Sequence, residues 1–438
     1  MRISVIGCGY LGAVHAASMA SIGHEVVGID VDSAKVARLG RGEPPFHEPG
    51  FEELLREQLA SGRLSFTTDF AAAADSDVHF VAVGTPQSPD GRAADLTYVD
   101  AAFAALDGVL RPGSVVAGKS TVPVGTAARL APGVEARGAA LVWNPEFLRE
   151  GFAVKDTLEP DRLVYGVAPG ERHEARPEVA VLDAAYAPII ERGTPRITAD
   201  WATAELVKVA ANAFLATKIS FINAMAEIAE ATGADVTTLA DAIGMDARIG
   251  RRFLNAGVGF GGGCLPKDIR AFTARAEELG VGSSVAFLKE VDAINLRRRD
   301  RIVELVLDAL GERRYASRVA VLGLAFKPHS DDVRDSPALD VAVRLNGLGV
   351  RVVGTDPEAI GPARALHPQL NYAADALDAI RDAEVVVLVT EWPEYRELDP
   401  AAMLALAAAN PTVIDGRNVL DPRAWRSAGW TYRGMGRP

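Results

Sequence analysis

Only two cysteines, Cys8 and Cys264, occur in 438 residues, too few and too far apart for a disulfide framework. Free thiols suit a reducing compartment, so a cytoplasmic location is expected. Met1 leads straight into the strand-like run Ile3–Ile6, which leaves no room for a signal peptide. No uninterrupted apolar run is long enough to span a bilayer, and no membrane association is expected. Positive charge is also scarce: 46 Lys and Arg stand against 58 Asp and Glu, a formal net charge of −12. That balance argues against nonspecific nucleic-acid binding but leaves room for local basic groups around a phosphorylated ligand. No metal is expected.

What is present is a globular composition, 49 % hydrophobic and 24 % charged, in a chain too long for one ordinary core. Two or three domains are expected. The run Ile3–Ile6 reads as a buried strand and is followed by Gly7-Cys8-Gly9-Tyr10-Leu11-Gly12. A helix is predicted from about Ala13 to Ile22, then a strand from Glu25 to Ile29 that ends at Asp30. This is the order of a dinucleotide-binding βαβ unit. Gly7 would make the tight turn, Gly9 would admit a pyrophosphate, and Gly12 would let helix and strand approach. Asp30 would accept hydrogen bonds from ribose hydroxyls, which favours NAD over NADP; Lys35 is counted with the same set.

Further strands are predicted at Val78–Val83, Ser114–Gly118 and Leu141–Trp143. The first runs into Gly84-Thr85-Pro86 and the second into Ser120-Thr121-Val122-Pro123. Hydroxyls at the carboxyl ends of parallel strands are where this architecture meets its cofactor; Thr121 could equally form a turn. Gln87–Thr97 reads as a polar loop and Tyr98–Leu110 as a helix. After Trp143 come Glu146 and Glu150, which share a face if the segment is helical. A carboxylate at a strand end can act as a base or orient water.

The longest helical stretch runs from Thr198 to about Thr232, with Lys208 and Asn212 one turn apart in apolar surroundings. Helices are also predicted over Val236–Gly244, Pro266–Leu279 and Val285–Leu310; Arg297–Arg301 reads as solvated surface or an interface. A second α/β unit follows, with strands at Arg318–Gly323, Val350–Gly354, Val385–Thr390 and Thr412–Asp415, a helix at Pro337–Leu348, and no glycine fingerprint. Lys327 and Arg334 suit a phosphate, although either could lie on plain surface. The expected fold is α/β: two Rossmann-like domains, residues 1–197 and 311–438, joined by a long central helix within an all-helical middle region, residues 198–310.

Between the two lies Gly257-Val258-Gly259-Phe260-Gly261-Gly262-Gly263-Cys264-Leu265-Pro266-Lys267-Asp268. A helix beginning near Pro266, together with Lys267, would favour the Cys264 thiolate; the same loop could simply house a structural cysteine. A thiolate beside bound NAD could attack a newly formed aldehyde, and hydride loss from that adduct would leave a thioester for water to cleave. Cys264, Lys208 with Asn212, and Asp268 or Glu146 are the available groups.

Taken together, Gly7-x-Gly9-x-x-Gly12, Gly84-Thr85-Pro86, Ser120–Pro123, Asn144–Gly151 with Pro160–Arg162, Lys208-x-x-x-Asn212, Gly259–Asp268, and Phe326–Pro328 with Asp332–Pro337 resemble the UDP-glucose/GDP-mannose dehydrogenase family nearly end to end. The resemblance implies NAD-dependent, two-step oxidation of the sugar C6 alcohol to a carboxylate, with two NAD consumed. Pro160–Val164 and Asp246–Gly250 are closer to the UDP-glucose branch, which forms UDP-glucuronate. The alternatives are GDP-mannose or a UDP-N-acetyl-hexosamine as substrate, or a NAD-binding protein without turnover.

The resemblance makes Cys264 the covalent nucleophile. Lys208 and Asn212 would hold the C6 oxygen, Asp268 would help position base and water, and Thr121 with Glu146 would serve thioester hydrolysis. Glu150, Lys267 and Arg334 match cofactor positions. Phe147-Leu148-Arg149-Glu150, Phe260, Gly261 and Lys327 match UDP-sugar-binding elements, and Arg248 matches an arginine supplied by the second subunit of a homodimer. Two departures stand out: Gly263 replaces a common serine, and Leu11 a commoner valine.

Overall fold

The computed structural model describes residues 1–89, 93–315 and 317–438. They form two compact units: residues 1–211 with 270–280, and residues 212–269 with 281–438.

The first unit is built on β1 (Arg2–Ile6), β2 (Glu25–Ile29), β3 (Leu64–Thr67), β4 (Val78–Val81), β5 (Val115–Gly118), β6 (Ala140–Trp143), β7 (Leu163–Val167) and β8 (Arg196–Asp200). Their order is β3-β2-β1-β4-β5-β6-β7-β8, parallel except where β7 meets β6 through Trp143 and Gly166. All four residues of both β4 and β5 are buried, as expected of parallel strands covered on both faces. Alternation along the strands divides the core. Val5, Phe80 and Ala117 pack on one side, and Ile6, Val81 and Val116 on the other.

The second unit holds β9 (Arg318–Leu322), β10 (Arg351–Thr355), β11 (Asn371–Tyr372), β12 (Val385–Leu388), β13 (Thr412–Asp415) and β14 (Thr431–Gly434), in the all-parallel order β11-β10-β9-β12-β13-β14. Its six strands and the first six of the other sheet share the 3-2-1-4-5-6 order of a doubly wound nucleotide fold. The long helix Trp201–Thr232 starts in the first unit and ends in the second, and no strand lies between Trp201 and Leu310 among the described residues. The expected fold class is therefore present.

Several local expectations change. The fingerprint helix begins at Tyr10, and Thr198 belongs to β8, so the long helix begins at Trp201. Within residues 87–97, Gln87 and Ala94 form an isolated antiparallel bridge, and residues 90–92 of that expected loop lie outside the described residues. Arg298 and Arg299 are not solvated. The helix Phe287–Leu310 buries Asn295, Arg298, Arg299, Ile302 and Val306, whose spacing of three and four residues marks its inner face. Arg298 pairs there with Glu230 at 3.1 Å and Arg299 with Asp335 at 2.8 Å. An 18-residue window of Trp201–Thr232 reaches a mean hydropathy of 1.3, enough by length and composition to cross a bilayer. The helix nonetheless buries Glu205, Lys208, Asn212, Ser220 and Asn223, the pattern of a helix inside a globular protein.

Candidate active site

The nucleotide turn follows from its glycines. Gly7 has φ +87°, and its N–H bonds the Ile29 carbonyl at 2.8 Å, turning the chain off β1. A Cβ at Gly12 would lie 1.8 Å from the Gly7 carbonyl oxygen, so only glycine allows this approach of helix to strand. At Gly9 a Cβ would meet nothing within 4 Å, and no side chain caps the helix that starts there. That open space beside uncapped N–H groups fits a pyrophosphate. Asp30 ends β2 as expected, taking the Cys8 N–H at 2.8 Å and the Lys35 ammonium at 2.9 Å. Tyr10 donates its hydroxyl to Glu48 and accepts the Gly151 N–H at 2.9 Å, while Leu11 packs against the core. These residues together fit a dinucleotide.

The strand ends beyond it carry the other groups. Gly84 and Thr85 follow β4, and the Thr85 hydroxyl donates to the Thr121 carbonyl at 2.9 Å. Residues 144–149 are irregular, so Glu146 and Glu150 do not share a helical face. Glu146 instead turns back to accept the Leu148 N–H at 2.6 Å and pairs with the Lys208 ammonium at 2.9 Å, both side chains being largely buried. Phe147 lies under the Arg162 guanidinium, 3.8 Å from its ring centre, and Arg149 pairs with Asp156 at 2.6 Å. Burial raises the Tyr10 phenol, and Glu48 and Glu150 push it further the same way.

In the second unit the cysteine loop runs into the helix Leu265–Glu278. Cys264 is exposed at the residue before that helix, and its carbonyl accepts the Asp268 N–H at 2.9 Å. The sulfur thus stands at the positive end of a helix dipole. Asp268 is 2 % exposed, with one oxygen on Asn212 at 2.6 Å and the other on Lys267 at 2.7 Å. Phe260 is fixed through both its backbone groups by Asn295, at 2.7 and 2.9 Å. A Cβ at Gly261 would sit 2.2 Å from the Asp335 carbonyl, and one at Gly263 would sit 2.6 Å from the Arg334 guanidinium carbon. Gly263 therefore leaves Arg334 lying against the loop where a serine would displace it. Lys327 stacks over Phe326 at 5.1 Å. Arg248 is 89 % exposed and pairs with its neighbour Asp246.

Residues 1–222 match the NAD binding domain of the UDP-glucose/GDP-mannose dehydrogenase family, 202–297 its central domain, and 320–422 its UDP binding domain. The chain belongs to this family. As a member of the UDP-glucose/GDP-mannose dehydrogenases it is 41 % identical to UDP-glucose 6-dehydrogenase of Rhizobium meliloti over the whole of both chains. It is also 41 % identical to UDP-glucose 6-dehydrogenase TuaD of Bacillus subtilis, over the whole of this chain and 93 % of that one. Among solved structures, a UDP-glucose dehydrogenase from Pyrobaculum islandicum superposes with a TM-score of 0.89 at 40 % identity, covering 100 % of this chain and 98 % of that one. A UDP-D-ManNAc dehydrogenase from Pyrococcus horikoshii gives 0.84 at 26 % identity, covering 100 % and 99 %.

Four residues of this dehydrogenase that brace these segments within their own units went unmarked in the sequence. Glu205, one turn before Lys208, accepts the Gly125 and Ala127 N–H groups at 2.7 Å and so holds the loop that follows Thr121. Arg417 donates to the Gly259 carbonyl at 2.9 Å and the Phe326 carbonyl at 3.1 Å. Asn295 holds Phe260, and Lys119 lies buried beneath Asn144. Glu205 alone offered a signal, its i,i+3 spacing from Lys208.

Proposed function

We propose that the chain oxidises C6 of UDP-glucose twice, from alcohol to carboxylate, through a covalent bond to Cys264. The observation that carries the choice of sugar is the 41 % identity to a UDP-glucose 6-dehydrogenase over the whole of both chains, against 26 % to the UDP-D-ManNAc enzyme.

Bound NAD would accept the hydride at each of the two oxidations. Lys208, backed by Glu146, polarises the C6 oxygen, and Asn212 one turn further along the same helix donates to it. Once the hydroxyl proton has left the C6 oxygen and a hydride has left C6, the Cys264 thiolate adds to the aldehyde carbon and the oxygen takes a proton, forming a thiohemiacetal. Loss of that proton and a second hydride leaves a thioester. Water, oriented by Thr121 and deprotonated by Glu146, then adds at C6 and breaks the C–S bond, releasing the acid and the thiolate. Asp268 holds Asn212 and Lys267 in place and so sets the donor beside the nucleophile.

In this reading Gly7, Gly9, Tyr10, Leu11, Gly12, Asp30, Lys35, Gly84, Thr85, Glu150, Lys267 and Arg334 serve the cofactor. Phe147, Leu148, Arg149, Phe260, Gly261 and Lys327 serve the UDP-sugar. The functional regions are residues 1–197, 198–310 and 311–438. Two copies pair, each lending Arg248 to the other. Supporting this, the long helix exposes Phe214, Phe221 and Ile228, spaced by seven residues as a helix-pairing seam requires.

The test is NADH yield with UDP-glucose, GDP-mannose and UDP-N-acetyl-hexosamines offered separately. About two NADH per UDP-glucose are expected from the two oxidations. A yield of one would remove the acid-forming step, faster turnover of another sugar would reassign the substrate, and binding without turnover would remove the enzyme.

A further inference from the structure

Lys119 is a lysine in a place where lysines are rarely found. It directly follows the fully buried β5, and its N–H continues the sheet to the Val81 carbonyl at 2.8 Å. Its ammonium, only 6 % exposed as a residue, bonds the Asn144 side-chain oxygen at 3.1 Å and the Tyr186 hydroxyl at 3.2 Å. The rings of Phe80 and Tyr186 lie 5.5 and 5.8 Å from it. Tyr186 closes the triangle by donating to the same Asn144 oxygen at 2.7 Å, and Asn144 spends its own amide on the Val164 carbonyl at 2.9 Å. The Asn144 N–H is held by the Gly118 carbonyl at 2.8 Å. Asn144 is thus fixed at backbone and side chain, two residues before Glu146.

A buried ammonium without a carboxylate in direct contact is costly, and a methionine would fill the same volume without that cost. Packing alone therefore does not account for a lysine here. We propose that Lys119 is a positioning residue for Glu146: it fixes the Asn144–Pro145–Glu146 segment from beneath, through its bonds to the Asn144 side chain and to Tyr186. The charges facing Lys119 agree with this. Burial above all lowers its ammonium, Glu146 opposes that and Lys208 adds to it, leaving it at about 8. The remaining titratable neighbours are Tyr186, whose phenol burial raises, and His15 on the fingerprint helix, held neutral by burial and by Lys119 itself. Neither supplies a countercharge; Glu146 is the carboxylate that raises the ammonium.

This inference rests on the reading of Glu146 as the base of thioester hydrolysis, and it separates the two half-reactions. Lys119→Met should slow acid release about 10- to 100-fold, the scale of a misplaced catalytic group, and slow the first NADH burst by a clearly smaller factor, because there Glu146 acts only by backing Lys208. The Cys264 acyl adduct should then build up in intact-mass spectra during turnover. Tyr186→Phe removes two bonds of the triangle but keeps the ring and the Lys119–Asn144 bond, so it should raise the adduct by a smaller factor; it decides the matter should Lys119→Met not fold. Glu146→Gln is the control. Adduct in Glu146→Gln but in neither other variant overturns the role of Lys119 alone, as does equal slowing of burst and acid release in Lys119→Met. Adduct absent from Glu146→Gln overturns the reading of Glu146, and this inference with it.

Discussion

The two sheets have the same strand order and the same first turn, yet one is open to a ligand at the point where the other is closed by its own side chains. Gly7 and Gly323 both leave a first strand with positive φ, +87° and +101°, and both donate to the end of the second strand. Asp30 and Asp356 both end that second strand and both accept N–H groups from the turn. There the likeness stops. Asp356, 1 % exposed, takes Leu324, Ala325 and the Trp392 indole on one oxygen, and Glu358 and Ala359 on the other. Beyond Gly323 the next helix starts only at Pro337, and Ser336 caps it by accepting the Leu339 N–H. In the first sheet the helix starts at Tyr10 behind an uncapped Gly9. One topology therefore yields a nucleotide turn or a structural corner, according to whether the helix starts uncapped at the glycine turn and how many groups of the turn the acid holds.

The sharpest way to break this comparison is to remove both acids. Asp356→Ala strands four backbone N–H groups and an indole, and should cost about 3–5 kcal/mol of stability, read by denaturant melting of the second unit, while any folded fraction keeps its NAD affinity. Asp30→Ala should do the reverse: NAD affinity, measured by calorimetry, falls about 10- to 100-fold as the ribose partner is lost, with about 1–2 kcal/mol of stability. Equal stability losses in the two variants would erase the distinction. The smallest effects come from the caps. Ser336→Ala should lose about 1 kcal/mol with unchanged NAD binding, and Gly9→Ala, with space for its methyl, should keep its melting point yet bind NAD about tenfold more weakly. A Gly9→Ala protein that bound NAD normally would show that the open space is not where the pyrophosphate goes.

The contrast also shows which parts of the molecule could be read from sequence. The glycine turn and Asp30 were legible because each depends on a few adjacent residues: a positive φ, a missing Cβ, an acid at a strand end. The irregular segment after β6 was not, because Glu146 is placed by Lys208, 62 positions away, rather than by its neighbours. Arg298 and Arg299 misled for a related reason. Five charges in a row look solvated, but helix periodicity turns two of them inward onto Glu230 and Asp335. Lys119, Asn295 and Arg417 gave no local signal, since each acts on a segment distant in sequence. Short helices such as Ser33–Gly40 and the strand β3 also escaped, being too brief for periodicity to show.

Everything proposed about chemistry depends on a carbon–sulfur bond at Cys264. The most direct measurement is UDP-glucuronate formation by Cys264→Ala given saturating UDP-glucose and NAD, followed by product chromatography alongside wild type. Acid production should be lower by about 10³-fold or more, on the scale of a lost nucleophile, with NAD binding intact. Acid formed at the wild-type rate would contradict it.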